Sequence, residues 1–213
     1  MRTGADRLPI TIVPLVCGTS GGGASRAHAA PLQAIATAAT RSGARITLPR
    51  MAIKDGLLAE FDHEIGTTRR LLERVPDDRL SWKPHEKSMS LGRLATHLSD
   101  LPHWGGTILN DDSFDLASAP PNVAERASRA DIITALDAAA KDTRARLDRT
   151  DAELASPWTL KRGGHQIFSM PRATAFRTFV LYHMVHHRGQ LSVYLRLNDV
   201  PVPAIYGPSA EEG

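Results

Sequence analysis

The sequence predicts an all-α fold, a four-helix bundle with crossover connections, over residues 51–213. Three observations predict it. Apolar residues recur at three- and four-residue steps in four separated stretches, some of the connections between them are long, and the last stretch is apolar on more than one side. A helix apolar nearly all round sits at the centre of a bundle or at a contact between subunits.

In the first helix Ile53, Leu57, Leu58, Phe61, Ile65, Thr68, Leu72 and Val75 form one stripe, which Pro76-Asp77-Asp78 ends. A loop carrying Trp82, Pro84 and Ser88 follows. Ser90 can cap the second helix, whose apolar positions are Leu91, Leu94, Ala95, Leu98 and Leu101, with Trp104 and Ile108 beyond Pro102 in a kinked continuation. The polar, Pro-containing link from Asn110 to Val123 leads to the third helix. There Ser128, with Asp131 three residues on, resembles a capping box, and Ile132, Ile133, Leu136, Ala139 and Leu147 mark the buried side. Between helices 3 and 4, Trp158, Leu160, Ile167 and Phe168 flank Gly163-Gly164, which predicts a short hairpin or an ordered loop. Pro171 can start the fourth helix, where Ala175, Phe179, Leu181, Tyr182, Val185, Leu191, Tyr194 and Leu195 are apolar.

The chain has 213 residues, 42% of them hydrophobic and 23% charged, which fits one globular domain with an appendage. Its formal charge is only +3 despite a pI near 9.3, and the densest basic run, Arg144 to Arg149, alternates Arg with Asp and apolar residues. A solvated helix face explains that run, and no nucleic-acid partner is expected. No run of about 18 apolar residues occurs, so no membrane span is expected. The single cysteine, Cys17, rules out an internal disulfide and fits a cytoplasmic location.

Residues 1–50 carry a Gly/Ser tract, Gly18 to Ser25, and no sustained hydrophobic period. They read as a disordered N-terminal extension, or as a misassigned start ahead of Met51. A signal peptide, with Arg2 and Arg7 before the apolar run Leu8 to Cys17, is opposed by Pro9 and Pro14 within that run.

Of nine histidines, three fall at Tyr182-His183-Met184-Val185-His186-His187-Arg188-Gly189-Gln190. His183 and His187 are four apart, so they leave a helix about 40° apart and can chelate one ion. His186 lies off the line they define. Two imidazoles leave an ion under-coordinated, and His97, between Leu94 and Leu98 on an inward face, is the best third ligand. His63, His85, His103 and His165 lie in polar or loop surroundings. Three histidines with a position left open make a catalytic-type site, whereas structural zinc sites close with four ligands. Imidazole suits Zn, Ni or Fe. The alternative is a pair of buried histidines that hydrogen-bond their neighbours.

These residues together resemble the DinB-like family, known also from the YfiT-like thiol-transferase group, from about Met51 to the end. The marks are Leu80-Ser81-Trp82-Lys83-Pro84, Ser90-Leu91-Gly92 leading to Ala95-Thr96-His97-Leu98, the segment His183 to Leu191, and Ile205-Tyr206-Gly207-Pro208-Ser209. The resemblance implies a four-helix bundle with one divalent metal ion on His97, His183 and His187. It further implies a metal-dependent transferase acting on a low-molecular-weight thiol and an electrophile. A non-catalytic metal-binding stress-response module and a metal-dependent hydrolase stay open beside it. The family name, taken from a damage-inducible gene, implies no polymerase. His186, Arg188 and Gln190 are candidates to steady the ligands or bind substrate. Arg188 suits a substrate carboxylate or, as the commoner use, a salt bridge between helices. A homodimer is expected.

Overall fold

The computed structural model describes residues 51–119 and 123–212. The readings placed on residues 1–50, Cys17 included, lie outside the described residues. The described chain is rich in helix, and none of its helices is long and apolar enough to cross a membrane.

Helix α1, Ile53–Leu72, buries Leu57, Phe61, Thr68, Leu71 and Leu72, which recur at helical spacing, while Ile53, Leu58 and Ile65 pack half-buried beside them. A 3-10 turn, Asp77–Arg79, leads to α2, Leu91–Asp100, whose first turn is capped where Ser90 Oγ accepts from Arg93 N at 2.9 Å. The kink expected at Pro102 interrupts the ladder while Leu101 and Pro102 keep right-handed helical dihedrals, and a second helix, α3, spans His103–Asn110. Proline has no N–H to continue the ladder. Its own carbonyl accepts from Gly105 N at 2.8 Å and from the buried Thr143 hydroxyl at 2.6 Å. Gly105 is needed at that crossing, because a Cβ there would stand 2.4 Å from Thr143 Cγ2.

Helix α4, Arg129–Arg146, starts where Ser128 Oγ accepts from Asp131 N at 3.1 Å. Asp131 accepts the Ser128 hydroxyl at 2.7 Å, and the reciprocal capping box stands instead at Thr150 and Glu153, ahead of α5, Asp151–Ala155.

The expectation of a purely all-α fold is corrected by a three-stranded sheet in the order β1-β2-β3. Strand β1, Ser113–Asp115, runs parallel to β2, Pro157–Arg162, and β2 pairs antiparallel with β3, His165–Pro171. The hairpin turns at Gly163 and Gly164, with φ of 58° and 81°. A two-residue turn of that kind needs positive φ at both positions. Asp115 fastens it from β1, accepting from Gly163 N at 2.9 Å and Gly164 N at 2.6 Å. Those amides and that of Ala117 hold the Asp115 carboxyl below its ordinary range.

From Arg172 the chain is helical to Leu197: α6, Arg172–Phe176, a π-helical segment, Arg177–Tyr182, and α7, His183–Leu197. α7 packs against α1 and α2, and α4 packs against α1, α2 and α3. The core runs through all of them, with Phe61, Leu94, Leu98, Ile108, Leu136, Phe176, Met184 and Leu191 buried. Each such side chain stabilises by about 1.5–3 kcal/mol.

Candidate metal centre

The contact between α2 and α7 gathers three imidazoles. His97 comes from the last turn of α2, His183 opens α7, and His187 follows one turn later. His183 Nε2 lies 3.4 Å from His97 Nε2 and 2.9 Å from His187 Nε2. One ring nitrogen from each lies within 4.8 Å of the others, a grouping that could hold a metal ion. Around a tetrahedral zinc with bonds of about 2.0–2.1 Å, nitrogens stand about 3.3 Å apart; the His97–His183 pair matches that at 3.4 Å, and the His183–His187 pair at 2.9 Å is shorter.

Hydrogen bonds behind the rings fix which nitrogen is left as a donor of electrons. His187 Nδ1 lies 2.7 Å from Gln190 Oε1, and the backbone carbonyl of Phe179 accepts from the His183 ring. With the proton engaged on that outer side, each Nε2 carries a lone pair. Two lone pairs facing each other at 2.9 Å repel. A cation between them turns the repulsion into coordination, so the donor set fits a metal.

Burial, with the neighbouring histidines next in order, pushes the His97 pKa down to about 4. His183 is lowered by burial and by His187, against the Phe179 carbonyl, and His187 by burial, against its bond to Gln190. At neutral pH all three rings are therefore neutral, the form that binds metal.

His97 and His183 open onto a cleft of about 380 Å³, also lined by Arg93, His103, Trp104 and Phe114. Trp104 stands edge-on to Phe114 with centroids 5.0 Å apart, and Phe179 lies behind it at 6.4 Å. The π-helical segment thus has two duties at the site: the Phe179 carbonyl steadies His183, and its ring backs the cleft wall. Such segments recur at functional sites.

The other residues singled out in the sequence divide. Gln190 touches His187, while His186 is exposed, its ring 4.8 Å from that of His187 and outside the group of three. Arg188 is 1% exposed and reaches α1 and the C-terminal segment, not the cleft. Its Nη2 pairs with Glu64 Oε2 at 2.6 Å, Nη1 donates to the Thr68 hydroxyl at 3.3 Å, and Tyr206 OH completes the cluster by donating to Glu64 at 2.9 Å. His63 stacks on Tyr206, and His85 Nδ1 accepts from Lys87 N in the loop before α2. The cleft residues Arg93, His103, Trp104 and Phe114 escape a reading of the sequence. Arg93 and Trp104 carried one signal, their helical spacing from His97; Phe114, on a three-residue strand, carried none.

The family model described as "DinB family" matches residues 51–213. The Bacillus subtilis (strain 168) protein YrdA is 27% identical over 162 residues, covering 74% of this chain and 90% of that protein. Two solved structures share the fold. A DinB-like protein from Bacillus cereus ATCC 10987 has a TM-score of 0.56 and 24% identity, covering 71% of this chain and 97% of that one. The DinB-like protein YjoA from Bacillus subtilis has a TM-score of 0.56 and 21% identity, covering 72% and 99%.

Proposed function

This chain belongs to the DinB family, and we propose that it is a metal-dependent transferase that joins a low-molecular-weight thiol to an electrophile. The observation that carries the proposal is the convergence of neutral His97, His183 and His187 at the edge of an open cleft. In this reading the helical part is a four-helix bundle with crossover topology, made of α1, the α2–α3 pair, α4 and the run from α6 to α7. The sheet is an addition to it.

His97, His183 and His187 would hold one divalent ion, Zn, Ni or Fe, all suited to imidazole. Such an ion, when bound, lowers the pKa of a thiol or water and presents the anion to an electrophile. The protein's own part is positioning. Gln190 and the Phe179 carbonyl fix the ring orientations, and burial keeps the rings unprotonated. Three protein ligands leave a coordination position open, and Trp104 and Phe114 offer an apolar surface to an electrophile beside it. In the reaction the thiol sulfur forms a bond to carbon, the leaving group departs with its electron pair, and the thiol proton passes to solvent.

A metal-dependent hydrolase would use the same open position for water. The two readings are separated by incubating the zinc-loaded protein with glutathione or cysteine and 1-chloro-2,4-dinitrobenzene. The transferase reading expects thioether to form faster than with zinc ions alone and His97→Ala to abolish the difference. Metal-loaded protein that gives no rate above background with any thiol would overturn it. We also read the exposed Tyr182, Val193 and Leu197, which share one side of the last helix, as the contact for a second copy of the chain. Light scattering that finds a monomer at micromolar concentration would overturn that.

A further inference from the structure

The cleft beside the histidines holds a charge that neither the fold nor the metal ligands need. Arg93, His97, Asp100 and Trp104 follow at steps of four, three and four residues, and all four line the cleft. Asp100 is neutralised from behind. Arg126 Nη2 donates to its Oδ1 at 2.6 Å and Nη1 to its Oδ2 at 3.2 Å. Arg93 has no such partner among the described residues. The hydrogen bond of its guanidinium there is Nη1 donating to the backbone carbonyl of Val123. A guanidinium has five N–H donors in a planar fork that matches a carboxylate, so most of this one's capacity is unspent.

Facing that charge is an aromatic wall. Trp104 meets Phe114 at 5.0 Å and 69°, and Phe179 behind it stacks on Phe168 at 5.6 Å and 2°. The wall is therefore fixed by packing on its far side. At about 380 Å³ the cleft lies at the small end of the range for ligand pockets.

On the reading of His97, His183 and His187 as the reactive end of this cleft, we infer that its substrate is a carboxylate with a flat apolar body. The carboxylate sits on Arg93 and the body lies against Trp104 and Phe114. Acidic Asp100 does not oppose it, because Arg126 already cancels that charge.

The test is calorimetric titration of the full chain, zinc-loaded and chelator-stripped, with 2-naphthoate and with the neutral 2-naphthalenemethanol, metal content being measured on each sample. Naphthoate is expected to bind at least about tenfold more tightly in both forms, the worth of a hydrogen bond to a charged group. Arg93→Gln should bring the two ligands within about twofold at unchanged metal content, Arg93→Lys should restore part of the gap, and Phe114→Ala should weaken both ligands alike. Equal affinities in the native protein, or a gap that survives Arg93→Gln, would overturn the anchor. So would a gap present only with zinc bound, which would place the carboxylate on the ion. A protein that takes up no zinc yet keeps an Arg93-dependent gap would support the anchor and defeat the metal reading instead.

Discussion

His187 and Arg188 are neighbours on α7, both buried, and each enters a polar cluster, but the clusters are built differently. Around Arg188 opposite charges meet and donors find acceptors: the guanidinium has Glu64, Thr68 and Tyr206, and the Tyr206 hydroxyl donates to Glu64 in turn. Around His187 three groups of the same kind converge, each turning a nitrogen toward the others, and two of them border an open cleft. A buried polar cluster whose members satisfy one another holds a fold together. One whose members satisfy one another only through something added is a binding site.

The difference can be broken by removing a member of each. Arg188→Ala leaves the Glu64 carboxylate, 14% exposed, without its cation, and is expected to destabilise the protein by about 3 kcal/mol in urea unfolding. A change under about 1 kcal/mol would show that the Arg188 cluster is not a structural clasp. Gln190→Ala should instead leave metal-free unfolding unchanged and weaken zinc binding about 10- to 100-fold, because it removes the group that orients His187. Competition with a chelating dye reads the affinity, and an unchanged value would remove Gln190 from the site.

Acid sharpens the contrast further. His97 titrates at about 4 in the folded chain against an ordinary 6.5. Between those values the unfolded chain binds the proton and the folded chain does not, so stability rises with pH there and is lost as pH falls from about 6.5 toward 4. The melting temperature of metal-free protein should fall over that window, and His97→Gln should flatten the curve. A curve as steep in the variant would assign the loss to other groups. The smallest effect is expected at the surface. Arg144→Ala breaks a pair with Asp62 in which the side chains are 57% and 47% exposed, and should shift stability by less than about 0.5 kcal/mol.

Much of the helical part was legible because burial repeats at helical spacing. Leu57, Phe61, Thr68 and Leu72 in α1 and Ile132, Leu136 and Ala139 in α4 needed only a count of three and four. Pro102 announced an interruption, and Gly163-Gly164 a turn, through backbone chemistry that acts locally. Strand β1 left no trace, since three residues are too few to show an alternation and its pairing with β2 joins residues more than forty apart. The same division holds for the site. The nearness of His183 to His187 follows from helix geometry alone, while the cleft wall depends on where β1 and the π-helical segment carry Phe114 and Phe179. No local pattern encodes that. Arg188 shows the limit from the other side, since the chemistry of its side chain suggests a salt bridge between helices, as found with Glu64, while the choice of α1 as partner is set by packing alone.

The most direct test is the metal content of the full chain, purified without a histidine tag and analysed by mass spectrometry beside His183→Ala. About one Zn, Ni or Fe per native chain, and almost none in the variant, is the expected result. A native chain that holds no metal even after incubation with excess Zn or Ni would contradict it, and would leave His97, His183 and His187 as buried histidines in a helical scaffold.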